Sequence, residues 1–348
     1  MSYKQIIIYY FSGTGNARNA AYWFKQVAET NHLETKLINI DRFDQIEIPD
    51  TGKKTLIGFC SPTHGFNFPP IMLKFILKFP RLKNADVFVM NTRGGLKLSK
   101  LFLPGVSGLA QILSALILLF KSYKIVGMQP LDLPSNWIFL HPGLKAKVVD
   151  SITKRIKNKT EKFASNLLQG KRKYQALLSL PIDLAMIPIA FGYYFIGRFY
   201  LAKSLVASKA CNLCMKCINE CPAEAIKQKK QLFWSYKCES CMRCLNNCPK
   251  HAIQVAHSFS IGILLINFMI IMPAIVFLFN DLDLDKLGNP LWLLISLRIT
   301  KWIVFISFVF LSYRILNYLM RFRWINKIVE FTSFSKYKFW RRYKAPQF

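Results

Sequence analysis

The sequence predicts an α/β doubly wound parallel sheet, then a smaller cysteine-rich α+β unit, then an apolar helical hairpin. Three observations indicate this order. Strand and helix patterns alternate over residues 4–168. A cysteine pattern occurs twice between residues 211 and 249. Residues 258–279 then carry no charged side chain, which is typical of a membrane span.

The sheet begins with KQIIIYYF at residues 4–11, an apolar and β-branched run typical of a strand buried on both faces. A helical pattern covers residues 17–29. The small polar loop between them consists of Ser12, Gly13, Thr14, Gly15 and Asn16. Such a loop presents backbone amides and hydroxyls to a phosphate at the positive end of a helix. No Lys follows it as in a P-loop, so ATP and GTP are disfavoured. The third Gly of a dinucleotide fingerprint is also missing, with Arg18 in its place.

Four more strands are predicted at residues 33–40, 55–60, 86–91 and 123–127, with helices at 70–79, 108–120 and 144–168. Ligands of doubly wound sheets lie at the carboxyl ends of the strands. One loop there, after the third strand, contains Pro62, Thr63, His64, Gly65 and Phe66. The other, after the fourth strand, contains Asn91, Thr92, Arg93, Gly94 and Gly95.

With these loops, residues 4–168 resemble the flavodoxins. The resemblance implies that the first loop holds the phosphate of FMN and that the other two surround its isoalloxazine ring. It leaves open whether His64, Phe66 or Phe68 stacks on the ring. Arg93 either balances the charge of the reduced flavin or is solvated.

Two other features of this region have alternatives. The segment 132–137, beyond the fifth strand, covers the flavin, docks a partner or is a packed surface loop. For Cys60, at the end of a strand, a buried apolar role is favoured over a redox role.

Each cysteine run reads C-x2-C-x2-C-x3-C-P, the spacing that holds cubane clusters with three thiolates from one run and the fourth from the other. This crossed pattern assigns one cluster to Cys211, Cys214, Cys217 and Cys248, and the second to Cys238, Cys241, Cys244 and Cys221. Zinc, the alternative, uses two C-x2-C pairs or Cys with His for one ion and fits two complete runs poorly. The runs resemble the two-cluster bacterial ferredoxins, which implies two [4Fe–4S] clusters that each pass one electron.

The 48 Lys and Arg against 18 Asp and Glu give a formal charge of +30, which suits nucleic acid or an anionic membrane surface. The 52% apolar content favours the membrane. No helix-turn-helix, zinc-finger or RNA-reading motif occurs in the sequence. We therefore expect membrane lipid, and no nucleic acid, as a partner.

A second apolar run covers residues 299–320, with Lys301 and Arg314 near its ends. An acidic turn at 280–285 and basic flanks predict a transmembrane hairpin in the inner membrane, with the soluble domains and both termini on the cytoplasmic side. The basic aromatic tail, 321–348, is expected to lie along the inner leaflet. The apolar stretch 101–120 is predicted to be a buried or partly membrane-facing helix.

The apolar segment 176–202 predicts broken helices in the headgroup region, with Lys203 and Lys209 directed at lipid phosphates. The alternative is a linker packed on the two soluble domains. The predicted domains are a flavodoxin-like FMN-binding domain (1–170), this linker (171–205), a two-cluster ferredoxin-like domain (206–257), the hairpin (258–320) and the tail.

The whole order resembles the flavodoxin–ferredoxin fusion proteins of bacteria, from whose soluble plan the hairpin departs. The resemblance implies a membrane-anchored electron-transfer protein that couples FMN to two clusters and to a redox partner, either another protein or a lipid-soluble substrate. The alternative is an FMN-dependent reductase that acts directly on an apolar, membrane-derived substrate. The sequence leaves the oligomeric state open.

Overall fold

The computed structural model describes residues 3–42, 52–280 and 291–346. The first region contains strands β1 (Gln5–Tyr10), β2 (Glu34–Asn39), β3 (Thr55–Pro62), β4 (Ala85–Gly94), β5 (Leu96–Leu98), β6 (Leu101–Leu103), β7 (Lys124–Leu133) and β8 (Lys173–Tyr174). Its helices are α1 (Asn16–Thr30), α2 (Pro70–Lys78), α3 (Leu109–Phe120) and α4 (Ala146–Leu168). Residues 281–285 of the predicted acidic turn (280–285) lie outside the described residues.

Six strands form one sheet in the order β2-β1-β3-β4-β7-β8, and all neighbours in it are parallel. The five long strands have the 2-1-3-4-5 order of flavodoxin-like doubly wound sheets. The predicted fold class of this region is therefore confirmed.

Alternating side chains of β1 divide the core between the two faces of the sheet. Ile6 and Ile8 pack with α1 and α4, whereas Ile7 and Tyr9 pack with α2 and α3. All four are at most 1% exposed, as expected for a strand covered on both faces. Helix coverage on both sides leaves the carboxyl ends of the strands as the accessible edge.

Two predicted boundaries differ. Strand β4 extends to Gly94 and pairs with β3 and β7, so most of the predicted third loop is the end of a strand. Residues 101–103 form β6 in a hairpin with β5, and α3 begins only at Leu109. The expectation of one helix over 101–120 is wrong, because Pro104 and Gly105 interrupt the helical pattern.

The linker consists of a 3₁₀ helix (Gln175–Ser179), α5 (Leu180–Ala185), α6 (Ile187–Gly192), a π-helical segment (Tyr193–Gly197) and α7 (Arg198–Ala202). It bends by 75° at the break before Ile187. The buried Asp183 carboxylate accepts hydrogen bonds from the backbone N–H groups of Ser107 (3.0 Å) and Gly108 (2.7 Å). This part of the linker therefore packs on the sheet region, as the alternative interpretation expects.

The cysteine-rich region is a small α+β unit of β9 (Leu205–Ala207), α8 (Lys216–Asn219), β10 (Ile226–Gln228), β11 (Leu232–Trp234), α9 (Arg243–Asn247) and β12 (Ile253–Val255). Strand β9 pairs with β12, and β10 pairs with β11; both pairs are antiparallel. The predicted class of this region is also confirmed.

Lys203 lies just before this unit, and the expectation that it faces lipid phosphates is wrong. Its side chain is 1% exposed and donates a hydrogen bond to the Trp234 carbonyl. Its ammonium group lies 4.7 Å from the centre of the Tyr313 ring. Burial lowers the pKa of Lys203 to about 8. Apolar rings and one carbonyl replace the expected anionic surface.

The hairpin consists of α10 (His257–Ile266), a π-helical segment (Asn267–Ile271), α11 (Met272–Asn280) and α12 (Leu291–Leu319). By length and composition, the stretches His257–Phe277 and Arg298–Leu319 are able to cross a membrane. The π-helical segment ends two residues before Pro273. A proline ring clashes with the carbonyl group four residues earlier, so the regular α-helical hydrogen bonding is interrupted there. Among the described residues the hairpin thus has two candidate membrane spans, and the bent linker pair Gln175–Ala185 with Ile187–Ala202 would be a third if it forms one span.

The tail after the hairpin begins with α13 (Arg323–Phe331) and a 3₁₀ turn (Phe334–Lys336). Residues 340–346 then turn back between the sheet and the cysteine-rich unit, contrary to the expectation of a tail along the leaflet. The Tyr343 hydroxyl donates to Asn16 Oδ1 (2.6 Å), and the Ala345 N–H donates to the Thr14 carbonyl (2.9 Å). The segments on either side of the hairpin therefore meet on the same side of it.

Candidate functional site

The three predicted loops converge on one cavity at the carboxyl ends of β1, β3 and β4. The predicted residues that line it are Ser12, Gly13, Thr14, Asn16, Pro62, Thr63, Gly65, Phe66, Thr92, Arg93 and Gly94. Four other predicted residues, Gly15, His64, Asn91 and Gly95, are not among its lining residues. The cavity therefore has the composition that a phosphate-bearing ring compound requires at a topological switch point.

The first loop forms the N-terminus of α1. Gly15 precedes the helix with φ of 109°, a conformation that glycine adopts without strain. Its N–H donates to the Ser12 hydroxyl at 3.1 Å. The first turn of α1 has neither an acidic residue nor a side-chain cap. The N–H groups of this helix end are thus suited to an anion such as a phosphate.

The second loop supplies one aromatic side chain to the cavity. Phe66 lines it with φ of 64°, whereas Phe68 belongs to the sheet core. His64 is buried behind the lining, and among the described residues neither ring nitrogen has a hydrogen-bond partner. Burial lowers the pKa of His64 to about 4, and the nearby Glu239 backbone opposes this shift. The imidazole is therefore neutral near pH 7.

The third loop is held by polar side chains. Arg93 is 8% exposed, and its Nε donates to Asp132 Oδ1 at 2.7 Å, so it is not a solvated side chain. The Asn91 amide donates to the hydroxyls of Thr63 (2.7 Å) and Ser107 (3.0 Å). Asn91 thus joins the second and third loops, while Arg93 brings a positive charge to the cavity wall.

The loop after β7 completes the cavity with Pro134, Ser135, Asn136 and Trp137. The sequence left three interpretations of this segment open. Its position follows from the parallel sheet, because the end of every strand lies at the same edge. Trp137 Nε1 is buried and has no hydrogen-bond partner in the described part of the chain. A carbonyl-bearing ring such as a flavin would satisfy this donor, so the residues present fit the group.

The cysteine-rich unit contains two cavities. One is lined by Cys211, Cys214, Cys217 and Cys248, and the other by Cys221, Cys238, Cys241 and Cys244, while Cys217 and Cys244 each touch both. These are the two crossed sets that the spacing predicts. No three His, Cys, Asp or Glu side chains within 3–42, 52–280 and 291–346 converge as ligands of a single ion.

Local backbone geometry positions these thiols. Met215 and Met242, just before α8 and α9, adopt positive φ of 61° and 58° and turn each loop into its helix. The Ala225 N–H donates to Cys221 Sγ (3.3 Å), and the Ala252 N–H donates to Cys248 Sγ (3.2 Å). Such N–H···S bonds stabilise thiolate ligands and adjust the reduction potential of a cluster.

The thiols that raise one another's pKa belong to the same two sets of cysteines. Burial, followed by the charges of Cys211, Cys248 and Cys214, raises the pKa of Cys217 to about 11. Burial raises the pKa of Cys238 to about 12, and Cys241 and Cys221 contribute in the same direction. Metal coordination removes these protons, because the thiolate is the ligand form.

The first loop of the flavin-type cavity touches the second cysteine run. A Cβ atom added at Gly13 would lie 2.3 Å from the Cys241 carbonyl oxygen, so only glycine permits this approach. Arg243 donates to the Ser12 carbonyl (2.7 Å) and to both Asp41 carboxylate oxygens (2.6 and 2.9 Å). The cavity and the second cysteine site are therefore direct neighbours.

Comparison with known proteins agrees with this architecture. A family model described as the 4Fe-4S dicluster domain matches residues 203–249. A search of curated proteins gave no match. The chain therefore joins a flavodoxin-like sheet to a 4Fe-4S dicluster domain.

Similar solved structures include rubredoxin oxygen:oxidoreductase from Desulfovibrio gigas (17% identity, 48% of this chain, 36% of that chain, TM-score 0.33). Flavodoxin 1 from Bacillus cereus is another (17% identity, 47% of this chain, 97% of that chain, TM-score 0.32). A flavodoxin from the domain Archaea is a third (15% identity, 46% of this chain, 99% of that chain, TM-score 0.29). The chain thus spans about a third of the length of the Desulfovibrio oxidoreductase.

Proposed function

We propose that this protein is a membrane-anchored electron-transfer protein that holds FMN in the sheet-edge cavity and two [4Fe–4S] clusters in the dicluster domain. The observation that carries the proposal is the contact between Gly13 and Cys241. Electron transfer slows steeply with distance, and this contact joins the phosphate loop to a ligand of the second cluster. When bound, FMN exchanges one or two electrons and each cluster exchanges one.

Different residues of the cavity bind different parts of FMN. The amides and hydroxyls of the first loop (Ser12–Asn16) hold the phosphate at the positive end of α1. Phe66 and Trp137 enclose the ring, and Trp137 Nε1–H donates to one of its carbonyl groups. Arg93, which lines the cavity and is paired with Asp132, favours negative charge on the ring.

The hairpin anchors this protein in the inner membrane, with the soluble regions on the cytoplasmic side. Support comes from the two candidate spans and from α13, whose Trp324, Ile328 and Phe331 are exposed beside Arg323 and Lys327. Such a helix suits the surface of an anionic leaflet. The redox partner is a membrane protein or a lipid-soluble molecule.

A second candidate function is an FMN-dependent reductase that acts directly on an apolar substrate from the membrane. One observation favours it: Tyr193 packs on Gly65 of the flavin-type cavity and also lines an apolar cavity beside the candidate spans.

The test is anaerobic purification in detergent, followed by flavin, iron and sulfide assays and by optical and EPR spectra. The proposal expects about one FMN and about eight iron atoms per chain. Iron without flavin, or zinc in place of iron, contradicts it.

A second measurement tests the contact between Gly13 and Cys241. Photoreduction of FMN in the loaded protein is followed by the bleaching of the clusters. In Gly13→Ala the added Cβ separates the loop from Cys241, so cluster reduction slows. Gly52→Ala is the control, because its Cβ meets nothing within 4 Å. An unchanged rate in a Gly13→Ala protein that retains FMN contradicts the proposed route.

A further inference from the structure

An apolar cavity of about 800 Å³ lies between the linker helices and the two candidate spans. Gly192 and Tyr193 line it from the linker, Asn267 from the first span, and Arg298 and Phe305 from the second helix of the hairpin. Two of its three walls belong to helices suited to a bilayer, so a molecule dissolved in lipid has access to it. Polar side chains that face such an interior mark substrate sites in membrane proteins.

Two residues that line this cavity each carry a polar atom without a hydrogen-bond partner among the described residues. The Tyr193 hydroxyl and Asn267 Oδ1 are buried and have no hydrogen-bond partner in the described ranges. Each of these residues also begins a π-helical segment, Tyr193–Gly197 and Asn267–Ile271. Isolated π-helical turns are uncommon and occur frequently at functional sites. The two irregular turns thus bring unpaired polar groups to one apolar cavity.

Tyr193 also lies between this apolar cavity and the flavin-type cavity. Its ring packs so closely on Gly65 that a Cβ there would lie 2.0 Å from it. The ring centre lies 5.5 Å from that of Trp137, which lines the flavin-type cavity. Tyr193 therefore stands between the apolar cavity and the flavin-type cavity.

We propose that this cavity binds the ring of a lipid-soluble quinone, with its alkyl tail directed into the bilayer. This inference rests on the proposed electron-transfer function and names the class of its membrane redox partner. A quinone carbonyl accepts a hydrogen bond from Tyr193 O–H, and a quinol O–H donates one to Asn267 Oδ1. A lipid acyl chain offers neither group, so it would leave both polar atoms unpaired.

The reaction balances with the cofactors already named. When bound and reduced, FMN and the clusters would supply two electrons to the quinone and water would supply two protons, so that both C=O bonds would become C–O–H. Arg298 and Lys301, at the same cavity, favour the negative charge that develops on the ring oxygens as the electrons arrive.

The experiment uses the full chain, loaded with FMN and clusters, in lipid nanodiscs. The protein is reduced with dithionite and freed of excess reductant. Decylubiquinone is then mixed with it, and reoxidation of the clusters is followed by stopped-flow absorbance. A parallel reaction uses ferricyanide, a water-soluble electron acceptor that does not need the cavity.

Gly192→Phe fills the cavity, because a Cβ at Gly192 meets nothing within 4 Å. We expect this variant to slow quinone-dependent reoxidation about 10-fold or more, with no change in the ferricyanide reaction. Gly262→Phe is the matched control, since Gly262 is equally open, lies on α10 and does not line the cavity. Tyr193→Phe and Asn267→Leu are each expected to raise the quinone Kd about 5- to 10-fold.

The outcomes separate the two proposals. Loaded wild-type protein that reacts with ferricyanide but neither binds nor reduces decylubiquinone overturns the quinone site and leaves the electron-transfer function standing. Equal quinone rates in Gly192→Phe and Gly262→Phe also overturn it. Protein that lacks FMN or clusters contradicts the proposed function itself.

Discussion

The flavodoxin-like sheet and the dicluster domain obtain their stability in different ways. The buried members of the two cores that enclose the sheet all come from residues 3–176. The strands of the dicluster domain have three residues each, and its core includes Ile138, Tyr313, Tyr343 and Ala345 from outside the domain. The sheet is held by burial of its own side chains. The dicluster domain draws on its neighbours, and on the proposed clusters when they are bound, because so short a segment buries little surface.

The largest effect is expected from a substitution that disrupts the dicluster domain and leaves the sheet intact. Cys241→Ser removes a ligand of the second cluster, so we expect loss of about half of the iron, with FMN retained by the sheet. Iron analysis and flavin fluorescence measure both. Cys60→Ser is the control, since Cys60 is buried in the sheet, where its Sγ lies 3.3 Å from the Ala17 carbonyl. Loss of FMN in Cys241→Ser would show that the sheet is not self-sufficient.

The next largest effect is expected from removing a side chain that contacts both regions. Tyr343 belongs to the dicluster core and also bonds to Asn16 of the first loop. Tyr343→Ala is expected to cost about 3–5 kcal/mol of unfolding free energy, and Tyr343→Phe about 1 kcal/mol. Denaturant titration, read by flavin and cluster absorbance, tests this. Phe339→Ala, at a side chain 58% exposed, should cost little; an equal loss there would contradict the role of Tyr343.

Acid should weaken the sheet through His64. Its pKa of about 4 in the folded protein lies below the unfolded value of 6.5, so the unfolded state binds more protons between these values. Stability is therefore full above pH 6.5 and falls as the pH drops, by about 2 kcal/mol at pH 5 and about 3 kcal/mol at pH 4. His64→Leu should flatten this dependence in denaturant titrations at pH 7 and pH 5. His32→Asn, at an exposed position, should not; equal slopes in wild type and His64→Leu would refute the assignment.

The smallest effect is expected at the ion pair that joins the sheet region to the dicluster domain. Asp41→Asn weakens the two-oxygen contact with Arg243 and is expected to cost about 1 kcal/mol, since the amide retains one acceptor. A double-mutant cycle with Arg243→Gln measures the coupling. Glu34→Gln is the control, because the Glu34–Lys36 pair is exposed. Additive effects in the cycle would show that this pair does not join the regions.

Features encoded by local spacing were accessible from the sequence. The dicluster fold follows from cysteines a few residues apart, because the loop geometry is set within each run. The sheet follows from alternating strand and helix patterns, and its order brings the three loops to one edge. The sequence does not decide the role of Arg93, since its partner Asp132 lies on a different strand.

Features that depend on distant contacts were not accessible. Tyr343 and Asn16 are 327 positions apart, and a basic aromatic tail has the same composition whether it covers a membrane or a protein surface. Lys203 was misplaced for the same reason, because its aromatic neighbours Phe310 and Tyr313 come from the hairpin. Trp137 required knowledge of where β7 ends.

The hydrogen bond from Ala345 to Thr14 has a consequence for biosynthesis. Ribosomes make proteins from the N-terminus, so residue 345 emerges only after both hydrophobic helices have been translated. Until then the phosphate loop is uncovered on one side. A cofactor that enters during translation would therefore meet an open form, and closure would follow translation of both helices.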